Sequence, residues 1–223
     1  MSGQDVLQEL QTLGTVQNQK IYRRNGVKGD LYGVSYTDLN KLKKRIKVDH
    51  ELARELWASG NHDARVLATM ISDPKQVDES LLDSWVQDLD SYPISDAFSN
   101  LAARSPLTRQ KMEEWTPSEE EWIGYVGWNL LGSLAQNDPA LPDAFFDPYL
   151  IIIERDIHGR KNRVRHAMNG VVIAVGMRND ALEQKASSTA ERIGKVEVDH
   201  GQTSCKTPDA ISYIRKARQR KAR

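Results

Sequence analysis

The side chains of this sequence that could do chemistry are sorted into blocks of one charge. Basic residues cluster within residues 41–47, 155–165 and 215–223, and an acidic stretch lies within residues 73–96. If the fold gathers the basic blocks on one face, they predict a polyanionic partner, most often nucleic acid. A carboxylate beside that face could supply the chemistry. The alternative is a solvated helical surface of mixed charge.

The candidate contacts to a polyanion are cations at helical spacing within the first two basic blocks. They are Lys41, Lys44, Arg45, Arg160, Lys161, Arg163 and Arg165. The last four stand where a helix is expected to begin, so they oppose the helix dipole. A locally unfavourable position favours a role in phosphate binding. The third block could be only a solvated tail.

Segment 199–206 has the most unusual composition in the chain. His200 and Cys205 could bind zinc, but no second cysteine or paired histidine stands nearby. Cys205 could be a nucleophile, because Lys206 would lower the pKa of its thiol. The alternative is a turn that pins the last helix. We expect no metal and no cofactor.

Composition restricts the class of protein. The 223 residues carry 31 basic and 31 acidic side chains, and 39% of them are hydrophobic, which fits a soluble globular protein. No apolar run approaches the roughly 20 residues of a membrane span, and the N-terminus lacks a signal-peptide pattern. The single cysteine excludes an internal disulfide. We expect a cytoplasmic monomer without membrane association.

Apolar residues recur at helical spacing along most of the chain and predict about eleven helices. A glycine-containing loop is expected over residues 22–33, and a non-helical segment over 196–207. Ser35 and Asp49 are expected to cap helices, and Ser118 with Glu121 to form a capping box. Pro106 and Pro117 are expected in first helical turns. No strand pair is evident.

Short turns between these helices predict an all-α fold, a HEAT-like or armadillo-type α-solenoid of antiparallel helix pairs. The helix pairs recur at about 35–45 residues, as in HEAT repeats. A single domain is expected over residues 1–223. It comprises an N-terminal helix and loop (1–34), helical repeats (35–193), and a loop, last helix and basic tail (194–223). A compact irregular bundle is the alternative.

Several runs carry a family resemblance. They are YRRNG from residue 22, YGVS from 32, DHELA from 49, HDARVLA from 62, and Trp85 followed by DLDS from 88. In this order they resemble the AlkD-like DNA alkylation repair family, HEAT-like proteins that include alkylpurine DNA glycosylases. The resemblance covers roughly residues 20 to 195. It implies a concave basic groove for double-stranded DNA, and removal of cationic 3- or 7-alkylated purines by hydrolysis of the N-glycosidic bond.

The resemblance also implies roles for individual residues. Asp90 looks like the family aspartate that supports bond breaking, because a fixed carboxylate stabilises positive charge developing on the sugar. Trp85 is expected near it as a groove aromatic, and Tyr125 stands where active members carry an arginine. The alternatives are a surface or capping role for Asp90, and packing in the core for Trp85 and Tyr125.

The sequence departs from the family pattern. Trp85 is one position out of register, and the run from Asn169 to Ile173 lacks the tryptophan and arginine of many relatives. Three functions therefore stay open: a glycosylase acting on alkylated purines, a non-catalytic binder of DNA or branched DNA, and a helical scaffold for a protein partner.

Overall fold

The computed structural model describes residues 2–221, and these residues form thirteen α-helices, two short 3₁₀ helices and no strand. The all-α prediction is confirmed. The third basic block ends at Arg223, which lies outside the described residues. No helix among residues 2–221 is long and apolar enough to cross a membrane.

The helices are α1 (Gly3–Leu13), α2 (Val16–Arg24), α3 (Tyr36–Ile46), α4 (His50–Ala58), α5 (His62–Ile71), α6 (Glu79–Gln87), α7 (Tyr92–Ala102), α8 (Thr108–Trp115), α9 (Glu121–Asn137), α10 (Asp147–Asp156), α11 (Asn162–Gly176), α12 (Asp180–Ile193) and α13 (Ala210–Lys221).

Side-chain caps fix several helix starts where the sequence predicts them. Ser35 accepts the N–H of Asp38 at 3.1 Å, and Asp49 accepts the N–H of Leu52 at 3.1 Å. These local bonds satisfy amides that a helix leaves unpaired at its start. The non-helical segment before α13 is also confirmed, because no helix lies between Ile193 and Ala210 in the described residues.

Helix α2 corrects the predicted loop over residues 22–33. Thr15 caps α2 by accepting the N–H of Asn18 at 3.2 Å, and Tyr22 is the only buried residue of the helix. The sequence of α2 is strongly polar, so it lacks the apolar periodicity that would reveal a helix.

The predicted capping box at Ser118 and Glu121 is wrong. Glu120 occupies the cap of α9 without a side-chain bond, and Ser118 accepts the N–H of Glu120 instead. Pro106 and Pro117 precede α8 and α9 rather than lying in their first turns.

The backbone contacts divide the chain into two compact units. Unit 1 runs to Thr108 and includes Gly201–Thr203, and unit 2 comprises Arg109–His200 and the chain from Ser204. The expectation of one repeat domain over the whole chain stays a prediction.

Helix α5 lies at the centre of unit 1, where it packs against α3, α4 and α7. The indole rings of Trp57 and Trp85 stack in parallel at 4.1 Å beside α5, and Phe98 closes the cluster at 6.1 Å. Burial of these large aromatic surfaces stabilises this unit.

A buried carboxylate connects α5 to the segment that leads into α3. Asp63 accepts the backbone N–H groups of Tyr32 at 2.6 Å, Gly33 at 3.0 Å and Val34 at 2.8 Å. The hydroxyl of Tyr22 donates to the carbonyl of Val34 at 2.5 Å. The start of α3 is therefore fixed by side chains from α5 and α2.

Unit 2 is built on the packing of α9 against α11. A glycine permits α9 to lie directly on the turn that precedes it, since a Cβ at Gly127 would lie 2.4 Å from the backbone nitrogen of Thr116. Such a distance is far inside van der Waals contact, so position 127 accepts only glycine in this packing.

Arg178 closes the C-terminal end of α9. Its guanidinium donates to the carbonyls of Ala135 at 2.7 Å, Asp138 at 3.0 Å and Leu141 at 3.0 Å. It also lies over the ring of Phe146 at 4.8 Å. A cation at this position satisfies carbonyls that a helix leaves unpaired and complements its dipole.

Lys47 ends α3 in a conformation that disfavours a side chain. Its φ is 69° and its ψ is −126°, and within residues 2–221 it is the only non-glycine residue with positive φ. We expect Lys47→Gly to raise the free energy of unfolding by about 1 kcal/mol, because it relieves this strain. Urea unfolding measures the change.

Lys44→Gly is the matched control for this prediction. It places the same substitution inside α3, where we expect a loss of about 1 kcal/mol of stability. A Lys47→Gly protein that is destabilised as much as the Lys44→Gly protein would contradict the assignment of strain.

Candidate nucleic-acid interface

Asp90 lies in the turn between α6 and α7 and is half-buried. One of its carboxylate oxygens accepts the hydroxyl of Ser91 at 3.0 Å. The other faces Gly29, where a Cβ would lie 3.7 Å from it. The cap of α7 is Ser91, with no side-chain cap bond, so the alternative of Asp90 as a helix cap is wrong.

A buried histidine lies within electrostatic reach of Asp90. Burial lowers the pKa of His62, the carboxylates of Asp63 and Asp90 act against this lowering, and the guanidinium groups of Arg23 and Arg65 add to it. Asp90 and these two arginines therefore act on the same imidazole. His62 also lies against the ring of Tyr22, with ring centres 5.6 Å apart.

The neighbouring acid, Asp88, is held by structural contacts. It accepts the indole N–H of Trp57 at 2.8 Å and pairs with Arg65 at 3.0 Å. Arg65 in turn lies over the Trp57 ring at 5.2 Å. Asp88 and Asp90 thus differ in role, although only one residue separates them.

The aromatic candidates belong to the two cores. Trp85 is 6% exposed and stacked on Trp57, and Tyr125 is 4% exposed and meets Trp122 edge to face at 6.2 Å. Neither ring is presented to solvent, because each packs against a neighbouring aromatic ring in the core of its unit. The structure corrects the expectation of groove contacts and favours the packing alternative for both.

Three candidate cations of unit 1 lie exposed on α3. Lys41 pairs with Asp38 at 2.9 Å, and Arg45 pairs with Glu9. Lys44 has no ion-pair partner among the described residues. Exposed pairs contribute about 0–1 kcal/mol, so a phosphate could replace the acids at little cost.

Arg160 of unit 2 is occupied by the turn before α9. Its guanidinium donates to the carbonyls of Ser118 at 2.5 Å and Thr116 at 3.4 Å, and it pairs with Glu119 at 3.1 Å. Only 13% of the side chain is exposed. These contacts give Arg160 a structural role and correct its expected place among the phosphate contacts.

The remaining candidates lie in the first turn of α11 or just before it. Lys161 is exposed, and Arg163 and Arg165 are half-buried. The N–H of Arg163 donates to the carboxylate of Glu121 at 2.8 Å. The carboxylate of Glu121 therefore supplies negative charge at this helix start, which offsets part of the unfavourable interaction of these cations with the helix dipole. Contact between a phosphate and the side chains of Lys161, Arg163 and Arg165 stays a prediction.

Segment 199–206 lies in the connection between α12 and α13 and is tied down at both ends. The side chain of Asn162 exchanges bonds of 2.8 and 2.7 Å with the backbone of Asp199. Close to the other end, His200 bonds to the hydroxyl of Thr207 at 3.0 Å, and Asn169 donates to the carbonyl of Pro208 at 3.0 Å. These contacts fit the interpretation as a pinning turn. Within residues 2–221, no three His, Cys, Asp or Glu side chains cluster to hold a metal.

Asp96, the last acid of the acidic stretch, is a second carboxylate with aromatic neighbours, and the sequence interpretation did not single it out. Asp96 follows Tyr92 by four residues on α7, and both are half-buried. Partial burial raises the pKa of Tyr36 at the start of α3, and the Asp96 carboxylate and the Tyr92 hydroxyl raise it further. The spacing of Tyr92 and Asp96 places them on one helix face and was the available signal.

The chain is similar throughout its length to known proteins. The sequence profile of the family described as "DNA alkylation repair enzyme" matches residues 6–214. An uncharacterized protein of Listeria innocua is 34% identical over 218 residues, with 95% of each chain covered. An uncharacterized protein of Listeria monocytogenes is 32% identical over 223 residues, again with 95% of each chain covered.

A solved structure matches at a TM-score of 0.90 and 31% identity, over 99% of this chain and 95% of the other. It is described as "a new family of proteins related to the HEAT-like repeat DNA glycosylases with affinity for branched DNA structures". The predicted HEAT-like fold is confirmed by this match.

The link between Asp90 and His62 can be tested by NMR titration of the His62 imidazole. Asp90→Asn removes a negative charge that favours the imidazolium, so we expect the pKa of His62 to fall further below its ordinary value. Asp96→Asn is the matched control and should leave His62 unchanged while lowering the pKa of Tyr36. A shift of the His62 pKa in Asp96→Asn, with no shift in Asp90→Asn, would contradict this geometry.

The same histidine predicts a dependence of stability on pH. The folded-state pKa of His62 lies below the unfolded value of about 6.5. The contribution of the neutral imidazole to the free energy of unfolding is therefore complete above about pH 6.5. It is lost as the pH falls below about 6.5 through the folded pKa. A His62→Gln protein should lose less stability in this window.

Proposed function

Because this chain belongs to the DNA alkylation repair enzyme family, we propose that it is a DNA-binding protein and that branched DNA is among its ligands. The observation that carries the proposal is the match, over nearly the whole of both chains, to a solved relative whose description names affinity for branched DNA. We propose further that it acts in the cytoplasm as a monomer without a cofactor.

Exposed cations support this proposal. Lys41 and Arg45 on α3 each form an exposed ion pair, with Asp38 and Glu9, and a phosphate can compete with an acid in such a pair at little cost. Lys44 lies exposed on the same helix. Lys161 and Arg163 offer further charge in unit 2. Each cation that meets a phosphate releases condensed counterions, which makes binding favourable at low salt.

Fluorescence anisotropy with a labelled four-way junction and a matched linear duplex tests the proposal. We expect tighter binding to the junction than to the duplex. The affinity for both DNAs should fall steeply between 50 and 200 mM salt, because phosphate contacts release counterions. Neutralising Lys41, Lys44 and Arg45 to Gln should reduce the magnitude of the log–log salt slope by about 2–3.

A control triple variant carries the same change of charge at cations of α12 and the segment after it, which lie outside the three basic blocks. It replaces Lys185, Arg192 and Lys195 with Gln; these side chains pair with Asp147, Glu154 and Glu197. We expect its salt slope to stay at the wild-type value. A wild-type affinity for DNA that does not change with salt concentration, or no binding at 50 mM salt, would reject the proposal.

A second candidate function is hydrolysis of the N-glycosidic bond of cationic alkylated purines. It is favoured by Asp90, a partly exposed carboxylate that caps no helix. Water would attack C1′ while the bond to the purine breaks, and the bonding electrons would neutralise the cationic base. The carboxylate would stabilise the charge on the sugar and receive the proton of the water.

Base release from a duplex that contains 7-methylguanine tests this second candidate. We expect release by the wild-type protein and a loss of about 100-fold or more in Asp90→Asn, because the substitution removes the stabilising charge. Asp96→Asn should retain activity. Loss in Asp96→Asn alone would move the catalytic role to Asp96.

Wild-type release no faster than the spontaneous rate would reject hydrolysis and leave the binding proposal intact. A scaffold for a protein partner, the remaining alternative, would then be favoured only if DNA binding also failed.

A further inference from the structure

One face of α13 is fixed to unit 2. A Cβ at Gly176 of α11 would lie 2.6 Å from the Cδ1 atom of Ile214, so the glycine provides the space that Ile214 occupies. Arg218 pairs with Glu183 at 2.5 Å and with Asp180, both on α12. These apolar and ionic contacts define which side of the helix faces the protein.

The opposite face of α13 is basic. At 100° per residue, Arg215, Lys216 and Arg220 lie about 100°, 200° and 240° around the helix from Ile214. All three side chains are exposed, and α13 contains no acidic residue. Tyr213 is 49% exposed and lies about 260° around, next to Arg220. We call these four residues the outer strip.

The outer strip differs from the other exposed cations of unit 2. Lys185, Arg192 and Lys195 each contact an acid at 2.7–2.8 Å. Within the described part of the chain, Arg215, Lys216 and Arg220 have no ion-pair partner. The negative charge that would complement the outer strip is thus not supplied by the described residues.

The helix dipole explains only part of this arrangement. A cation in the last turn of a helix is favourable, which accounts for Arg220. Arg215 lies in the first half of α13, outside the reach of that effect. Lys216 and Arg220 are four residues apart and repel each other. An external anion would relieve this repulsion and use both arginines, whose planar groups bind phosphate through two bonds.

We propose that the outer strip is a phosphate-binding surface for the sugar–phosphate backbone of DNA. This inference rests on the proposed DNA-binding function and adds to it a contact separate from α3 and α11. The cations span about 7.5 Å along the helix axis, which covers several backbone charges of a duplex. Tyr213 can donate its hydroxyl to a phosphate beside them.

Contacts of this kind have a defined consequence for recognition. Phosphate contacts position a protein on DNA but carry no sequence information. The outer strip should therefore strengthen binding to any sequence equally. Its contribution is an increase in affinity and in the salt slope, without a change in base preference.

The test compares a triple variant, Arg215→Gln with Lys216→Gln and Arg220→Gln, with the wild-type protein and the control triple variant. We expect the salt slope for a four-way junction to fall by about 2–3, and affinity at 50 mM salt to fall about tenfold or more. The control triple variant should keep the wild-type slope. Ile214 and Arg218 are untouched, so circular dichroism and thermal unfolding should show that α13 stays folded and docked.

The outcomes separate this inference from the proposed function. Wild-type binding with an unchanged slope in the outer-strip variant overturns the inference and leaves the DNA-binding proposal standing. No binding by the wild-type protein overturns both. A last experiment measures binding of both proteins to vesicles of anionic phospholipid. If the outer-strip variant loses vesicle binding but keeps DNA binding, the outer strip binds a membrane surface and the inference is wrong.

Discussion

Unit 1 depends on the buried carboxylate of Asp63. It accepts three amides, and the two buried ones, of Gly33 and Val34, would otherwise be left without a partner away from water, at about 1–3 kcal/mol apiece. The carboxylate fixes the backbone just before α3, and α3 carries the first basic block. The residue before it in sequence, His62, is the one that lies within reach of Asp90. One side chain therefore fixes the backbone that leads into the proposed phosphate contacts of α3, and it adjoins in sequence the histidine on which the candidate catalytic acid acts.

Asp88 and Asp90 differ in the partners of their carboxylates, and these partners determine what each acid is free to bind. Asp88 neutralises Arg65 and bonds to Trp57, so its charge is used within the fold. Asp90 bonds to the hydroxyl of its neighbour Ser91 and acts on His62. A carboxylate with spare acceptor capacity can stabilise an external positive charge, whereas one already held by a guanidinium cannot do so without breaking that pair. Binding and hydrolysis thus make different demands on this unit: the first needs the exposed lysines, the second needs Asp90.

Sequence predicts those features that are decided over a few residues. Ser35 and Asp49 cap helices as expected, because the side chain and the amide that it accepts are only three residues apart. Glu121 fails as a capping-box residue because its partner is Arg163, 42 positions away. The resemblance to the repair family identified the fold correctly, but an aromatic residue in a groove and one in a core share the same spacing. Only packing places Trp85 and Tyr125 inside.

The absence of a side chain at Gly127 has a consequence for how this sequence can diverge. Its neighbour is backbone, so no rotamer change elsewhere can create room for a methyl group. Any replacement must displace the turn that includes Thr116 and Ser118, whose carbonyls hold the guanidinium of Arg160. Positions 127 and 160 are therefore expected to co-evolve. A homologue that has lost the glycine should also have lost the arginine, although 33 positions separate them in the chain.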